Sequence, residues 1–153
     1  TPVFKKPTLI LDFLKYSHKN VFYTKKCNKS RCLTCPILFE YKSQILIDNF
    51  PISLNASCSC NSTFVIYCLF CTKCPVFYVG KAETSLRTRM NLHRHHLFSE
   101  TTPQTLPITK HLKACSMDFI VTVLHQVKDK KPLILKFTED YFKDLLNSPF
   151  NII

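Results

Sequence analysis

A chain of 153 residues with 46% hydrophobic side chains is long enough for one compact domain, and a formal net charge of +11 makes its surface basic. No apolar run reaches the roughly eighteen residues that a membrane helix needs, which excludes a spanning helix. The opening TPVFKKPTLILDFLKY lacks the basic end, apolar run and small-residue cleavage site of a secretory signal.

The charge is uneven. Residues 1–99 hold 14 Lys and Arg against 4 Asp and Glu, and residues 100–153 hold 7 against 6. So lopsided a surface suits a polyanion, most simply nucleic acid, the bland alternative being a solvated basic face. Nine cysteines beside one Gly and nine Pro fit poorly with a closed disulfide framework. The spacings Cys27-x4-Cys32-x2-Cys35 and Cys71-x2-Cys74 are those of metal ligands. Structural zinc in a reducing, intracellular compartment is therefore expected, against the rival of an extracellular disulfide protein. The first residue is not Met, so a longer protein is expected.

In chain order, residues 8–16 predict a short helix, with Leu9, Ile10, Phe13 and Leu14 on one face and Thr8 as cap. Residues 37–54 alternate loosely and predict one or two strands. NASCSCNS (55–62) has loop composition, and a boundary near 62 divides an N-terminal cysteine-rich extension, 1–62, from a domain over 63–153. Residues 64–70 and 76–79 read as a hairpin around Cys71-Thr72-Lys73-Cys74-Pro75. Residues 84–98 predict a helix capped by Thr84 or Ser85, with Leu86, Met90 and Leu97 as its apolar stripe. ITKHLKAC (108–115) is a short helix. DFIVTVLHQV (118–127) is a nearly continuous apolar strand and is placed at the sheet's centre. Residues 133–147 predict a helix with Leu133, Phe137, Phe142 and Leu146 inward. This order gives a small α/β sandwich, a three-stranded sheet flanked by helices.

Chemistry concentrates on the two longer helices. Arg87, Arg89, His93, Arg94, His95 and His96 crowd one, and Arg89 and His93 share a face. That face suits a phosphate, or is simply solvated. Glu139 stands near a buried face, where a carboxylate needs a divalent cation or an arginine such as Arg89. Cys27, Cys32 and Cys35 need a fourth ligand, from Cys58, Cys60 or His18, or else pack onto Cys71 and Cys74 to complete one site. Cys60 lies about 20 Å along the strand from that turn and is not expected to share its ion. Cys68 and Cys115 read as core thiols.

Taken together, these residues resemble the GIY-YIG endonucleases, and most closely the endonuclease domain of Penelope-like retroelements. The paired motifs stand as VIY (65–67) and YVG (78–80), with Val65 at the first glycine of the family motif. SLRTRMNLHR carries Arg89 and His93, TEDYFKDL carries Glu139, PFNI carries Asn151, and CNKSRCLTCP is the upstream cysteine cluster. The resemblance implies a GIY-YIG-type sandwich with an N-terminal zinc-binding segment, acting as a metal-dependent DNA endonuclease that nicks target DNA for retroelement insertion in the nucleus. Implied catalytic residues are Tyr67 as general base, Tyr78, Arg89, His93, Glu139 as the Mg²⁺ or Mn²⁺ ligand, and Asn151. Tyr67 then needs a pKa lowered by the ion and Arg89. The zinc ligands expected from the cysteine spacings are Cys27, Cys32, Cys35, Cys60, Cys71 and Cys74, and expected DNA contacts are Lys81, Arg87, Arg94 and His95. A covalently linked reverse transcriptase and its RNA are the expected further partners, with no membrane. The rival reading is a catalytically inactive, zinc-stabilised nucleic-acid-binding module.

Overall fold

The computed structural model describes residues 21–100 and 106–147. The helix expected over 8–16, His18 and Asn151 lie outside them.

The chain is mixed α/β. Short strands come first: β1 (Tyr23–Thr24), a single 3-10 turn at Cys35–Ile37, β2 (Tyr41–Lys42), β3 (Gln44–Ile47) and β4 (Phe50–Ser53). Then follow β5 (Val65–Cys71), β6 (Phe77–Ala82), α1 (Leu86–Phe98), α2 (Pro107–Ala114), β7 (Phe119–Gln126) and α3 (Pro132–Leu146). β1 pairs with β2 and β3 with β4. The β3–β4 hairpin turns on Asp48 and Asn49, both at positive φ (49° and 65°), a conformation these two residue types tolerate in a tight two-residue turn.

The main sheet is antiparallel, in the order β6-β5-β7. The strand over 119–126 is thus at an edge, and β5 holds the centre, contrary to expectation. The run is apolar because both faces are buried, Phe119, Val121 and Val123 in the core beside α1 and α2 and Leu124 in the core beside α3, while its outer edge is paired from within the chain. The Phe39 N–H donates to the Val121 carbonyl at 2.8 Å, Thr122 Oγ1 donates to the Phe39 carbonyl, and the Tyr41 hydroxyl donates to the Val123 carbonyl.

Strand alternation splits the core between the two faces of the sheet. Val65, Tyr67 and Leu69 face Leu86, Met90, Leu97, Ile108 and Leu112 of α1 and α2, together with Leu38, Cys58 and Cys60. Ile66 and Cys68 face Leu135, Phe142 and Leu146 of α3, together with Ile47 and Ile52 of the small hairpin. α3 buries Leu135, Glu139, Phe142 and Leu146. Phe142 and Leu146 point inward as expected, but Leu133 (63% exposed) and Phe137 (62%) do not. The helix carries two apolar stripes, and the one holding Leu135 and Glu139 lies on the sheet.

Candidate active site and two candidate metal centres

β6 is an edge strand, and α1 and α3 approach it from opposite faces of the sheet. Between them opens a cleft of ≈ 610 Å³ lined by Lys81, Ala82, Glu83, Thr84, Thr88, Arg89, Leu92 and Glu139. Ser85 begins α1 by accepting from the Thr88 N–H at 3.1 Å, which fixes the rotation of the helix and so the direction of Arg89 and His93.

Behind the cleft lies a buried aromatic group. The Tyr67 hydroxyl is 2.7 Å from His93 Nε2 and accepts from Arg89 Nε at 3.3 Å. The Tyr67 and Tyr78 rings lie 6.4 Å apart, and each meets the His93 ring edge-on. One residue makes room for this group. Gly80, the chain's single glycine, sits opposite Tyr67 on β6, and a Cβ there would lie 2.5 Å from Tyr67 Cζ and Oη and 2.7 Å from Tyr78 Cε1. A register shift between β5 and β7 falls between Ile66 and Tyr67, a local irregularity of the kind that re-aims a side chain.

Burial sets the electrostatics. It raises the Tyr67 phenol above its ordinary pKa, Tyr78 adds to the rise, and Arg89 opposes it without prevailing. Arg89 alone therefore does not produce the lowered pKa expected for Tyr67. Burial raises Tyr78 as well, with Glu139 adding to the effect. Burial, helped by Arg89 and His96, brings His93 down to about 3, so its imidazole is neutral at physiological pH.

Glu139 is 5% exposed, and its carboxylate meets two lysines of its own helix, Lys136 at 3.3 Å and Lys143 at 3.4 Å. Its ion pairs are thus with these lysines rather than with Arg89. An oxygen donor on the wall of a cleft suits a hard divalent cation, which would have to compete with both ammonium groups.

The cysteines form two four-ligand groups, either of which could hold a metal ion: Cys27, Cys32, Cys35 and Cys60; and Cys71, Cys74, His111 and Cys115. In the first, Cys35 Sγ lies 3.6 Å from Cys27 Sγ and 3.7 Å from Cys60 Sγ. In the second, Cys115 Sγ lies 3.3 Å from Cys74 Sγ and 3.8 Å from Cys71 Sγ. These are far beyond a bonded ~2.05 Å. Four sulfurs about 2.3 Å from a tetrahedral centre stand about 3.8 Å apart, so the spacing fits zinc. Burial opposes ionisation of Cys32, but Arg87 and backbone N–H groups bring it down to about 6. Cys71 also reaches about 6 against burial, through the Lys73 backbone, His111 and Ser116.

Cys60 is thus the fourth member of the first group, and Cys58 lies in the core nearby. The two groups are separate, so the N-terminal cysteines do not complete a site with Cys71 and Cys74. Cys115 is not a core thiol: it is exposed and joins the second group, as does His111. His111 and Cys115 stand four apart at the end of a short helix, a spacing that puts both on one face and could have flagged them.

Of the expected DNA contacts, Lys81 lines the cleft, 4.0 Å from Glu83. Arg94 and His95 line a neighbouring cavity with Leu33 and Phe98, and Arg94 donates to Asn91 Oδ1 and to the Leu33 carbonyl. Arg87 is engaged elsewhere, donating to Cys27 Sγ at 3.0 Å and Cys32 Sγ at 3.3 Å. No helix among the described residues is long and apolar enough to cross a membrane. No protein-family model, curated protein or solved structure gives a significant match to the chain.

Proposed function

We propose that the chain is a divalent-metal-dependent DNA endonuclease of the GIY-YIG type, clamped by structural zinc. The observation that carries this reading is the meeting of Arg89 and Glu139, from opposite faces of the sheet, on one cleft with the Tyr67–His93–Tyr78 group directly behind it. A basic surface suits the phosphate backbone of DNA, and the motif resemblance gives the rest: nicking for retroelement insertion in the nucleus, alongside a linked reverse transcriptase and its RNA.

Each residue then has a physical task. Arg89, always charged and held by the Tyr67 hydroxyl, supports the negative charge that develops on the phosphoryl oxygens. Neutral His93 accepts a hydrogen bond from the Tyr67 hydroxyl and so fixes its orientation. Tyr67 is fully buried, so it reaches a water only when a phosphate in the cleft draws Arg89 outward. Tyr78 orients that water. Glu139 would hold Mg²⁺ or Mn²⁺, which would supply charge stabilisation for the leaving oxygen.

A second reading has its own support. The two lysine pairs of Glu139 and the sealed position of Tyr67 also fit a zinc-stabilised module that binds nucleic acid without cutting it. Plasmid nicking with Mg²⁺, Mn²⁺ or chelator separates the two. The endonuclease reading expects nicking that depends on the ion and falls about a hundredfold or more in Glu139→Ala, since such an ion is worth several kcal/mol. Nicking unaffected by Glu139→Ala removes the assigned site. Salt-dependent binding with no nicking establishes the second reading.

A further inference from the structure

Arg87 faces neither the cleft nor bulk solvent alone: its guanidinium spans two sulfurs of the first cysteine group. Arg87 Nη2 donates to Cys27 Sγ at 3.0 Å and Nε to Cys32 Sγ at 3.3 Å. Its own backbone N–H donates to the carbonyl of Cys60, another member of the group, at 2.9 Å, and the adjacent Leu86 N–H donates to the Ser62 carbonyl at 3.0 Å. Two N–H groups in the first turn of α1 are thus satisfied by the segment that carries Cys60. Arg89 and His93 lie within the next two turns of the same helix. Further along it, Arg94 donates to the carbonyl of Leu33, which lies between Cys32 and Cys35.

We propose that Arg87 is a positioning residue, one that neutralises and hydrogen-bonds a metal tetrathiolate on Cys27, Cys32, Cys35 and Cys60 and so makes metal occupancy fix the helix carrying Arg89 and His93. The charge argument is direct. Four thiolates on a divalent zinc leave a net charge of −2, and hydrogen bonds to ligand sulfurs by a group outside the coordination sphere stabilise such a centre. A guanidinium supplies two donors in fixed geometry where an ammonium supplies a point charge. Among the described residues, no other arginine hydrogen-bonds a cysteine sulfur.

The inference rests on the reading that this cysteine group holds a metal, and its nicking consequence rests on the endonuclease reading. The test is zinc transfer from the 153-residue chain to a chromogenic chelator, with cobalt substitution to tell the all-sulfur centre from the one containing His111. Arg87→Ala should release zinc from the all-sulfur centre about 10- to 100-fold faster, shift its sulfur-to-cobalt charge-transfer band, and leave the other centre unchanged. Arg87→Lys should recover part of the loss, and Arg87→Gln, a shorter uncharged side chain that still offers an N–H₂ donor, serves if the alanine variant fails to fold. Zinc release within twofold of wild type in both Arg87→Lys and Arg87→Gln overturns the assignment. So does the pattern of a DNA contact: unchanged zinc release, weaker DNA binding and a salt slope reduced by about one. Wild-type chain with no metal on these four cysteines overturns the assignment and the metal reading together. Absence of nicking in a wild type whose Arg87 variants still lose zinc fast removes the endonuclease reading and leaves the role of Arg87 standing.

Discussion

The tyrosine group and the first cysteine group flank the same helix, yet they are held in different ways. Tyr67 and Tyr78 stand on paired strands, lock against His93 and Arg89, and fill space that Gly80 leaves open. Their geometry is complete in the protein alone. Cys27, Cys32, Cys35 and Cys60 stand on loop and 3-10 backbone at the margin of the core that holds Tyr67, and no strand pairing fixes their side chains. Packing holds the first region, whereas a metal ion is what would hold the second. One helix links them, so damage to either reaches Arg89 by a different route.

The largest effect should come from removing the ion's support. Cys60→Ala is expected to reduce bound zinc from two per chain to one, as counted by mass spectrometry of the native protein. It should lower the melting temperature by about 10 °C or more, because structural zinc contributes folding free energy and a domain of this size shifts about 2–4 °C per kcal/mol. Cys115→Ala removes an exposed ligand of the second group and should also lose one zinc, with a smaller fall in melting temperature. Equal falls would mean that the two groups support the fold alike and would break the contrast.

Gly80→Ala probes the packed region. The added methyl group meets two rings at 2.5–2.7 Å, so both tyrosines must shift. Overpacking of this kind costs about 3 kcal/mol, with zinc content unchanged. A melt within 1 °C of wild type would show that the tyrosine group is loosely held.

Much of this was legible in the sequence, and the gaps have physical causes. Composition and capping reveal β5, β6 and α1, because β-branched and aromatic residues mark the two strands and Ser85 marks the start of the helix. Tyr67 and Tyr78 share a face through pairing that the hairpin turn sets, with Tyr67 opposite Gly80. The position of β7 was not legible, since an apolar run reports burial on every side and cannot distinguish a neighbouring strand from the loop that Phe39 and Tyr41 lay along its edge. Nor was the inward stripe of α3. Leu133 and Phe137 are spaced like Leu135 and Glu139, and only the docked helix decides between a charged and an apolar inward residue. His111 and Cys115 escaped because a metal group assembled from a hairpin turn and a later helix is a tertiary fact.

The smallest effect distinguishes the regions by pH. His93 has a folded pKa of about 3 against about 6.5 when unfolded, through burial and the nearby Arg89 and His96. The unfolded chain takes up a proton below pH 6.5 that the folded chain refuses until about 3. The contribution of neutral His93 is therefore complete above pH 6.5 and declines as pH falls through that window. By pH 5 the loss is about 2 kcal/mol, from 1.36 kcal/mol per unit. Urea midpoints at pH 7.5, 6 and 5 measure it, with His93→Gln as the reference that does not titrate. Acid also releases metal from thiolates, but that loss is common to both proteins, so the difference between their slopes isolates the imidazole. A wild-type slope equal to that of His93→Gln would mean that His93 is as hydrated as in the unfolded chain, and the tyrosine group would then be no better held than the cysteines beside it.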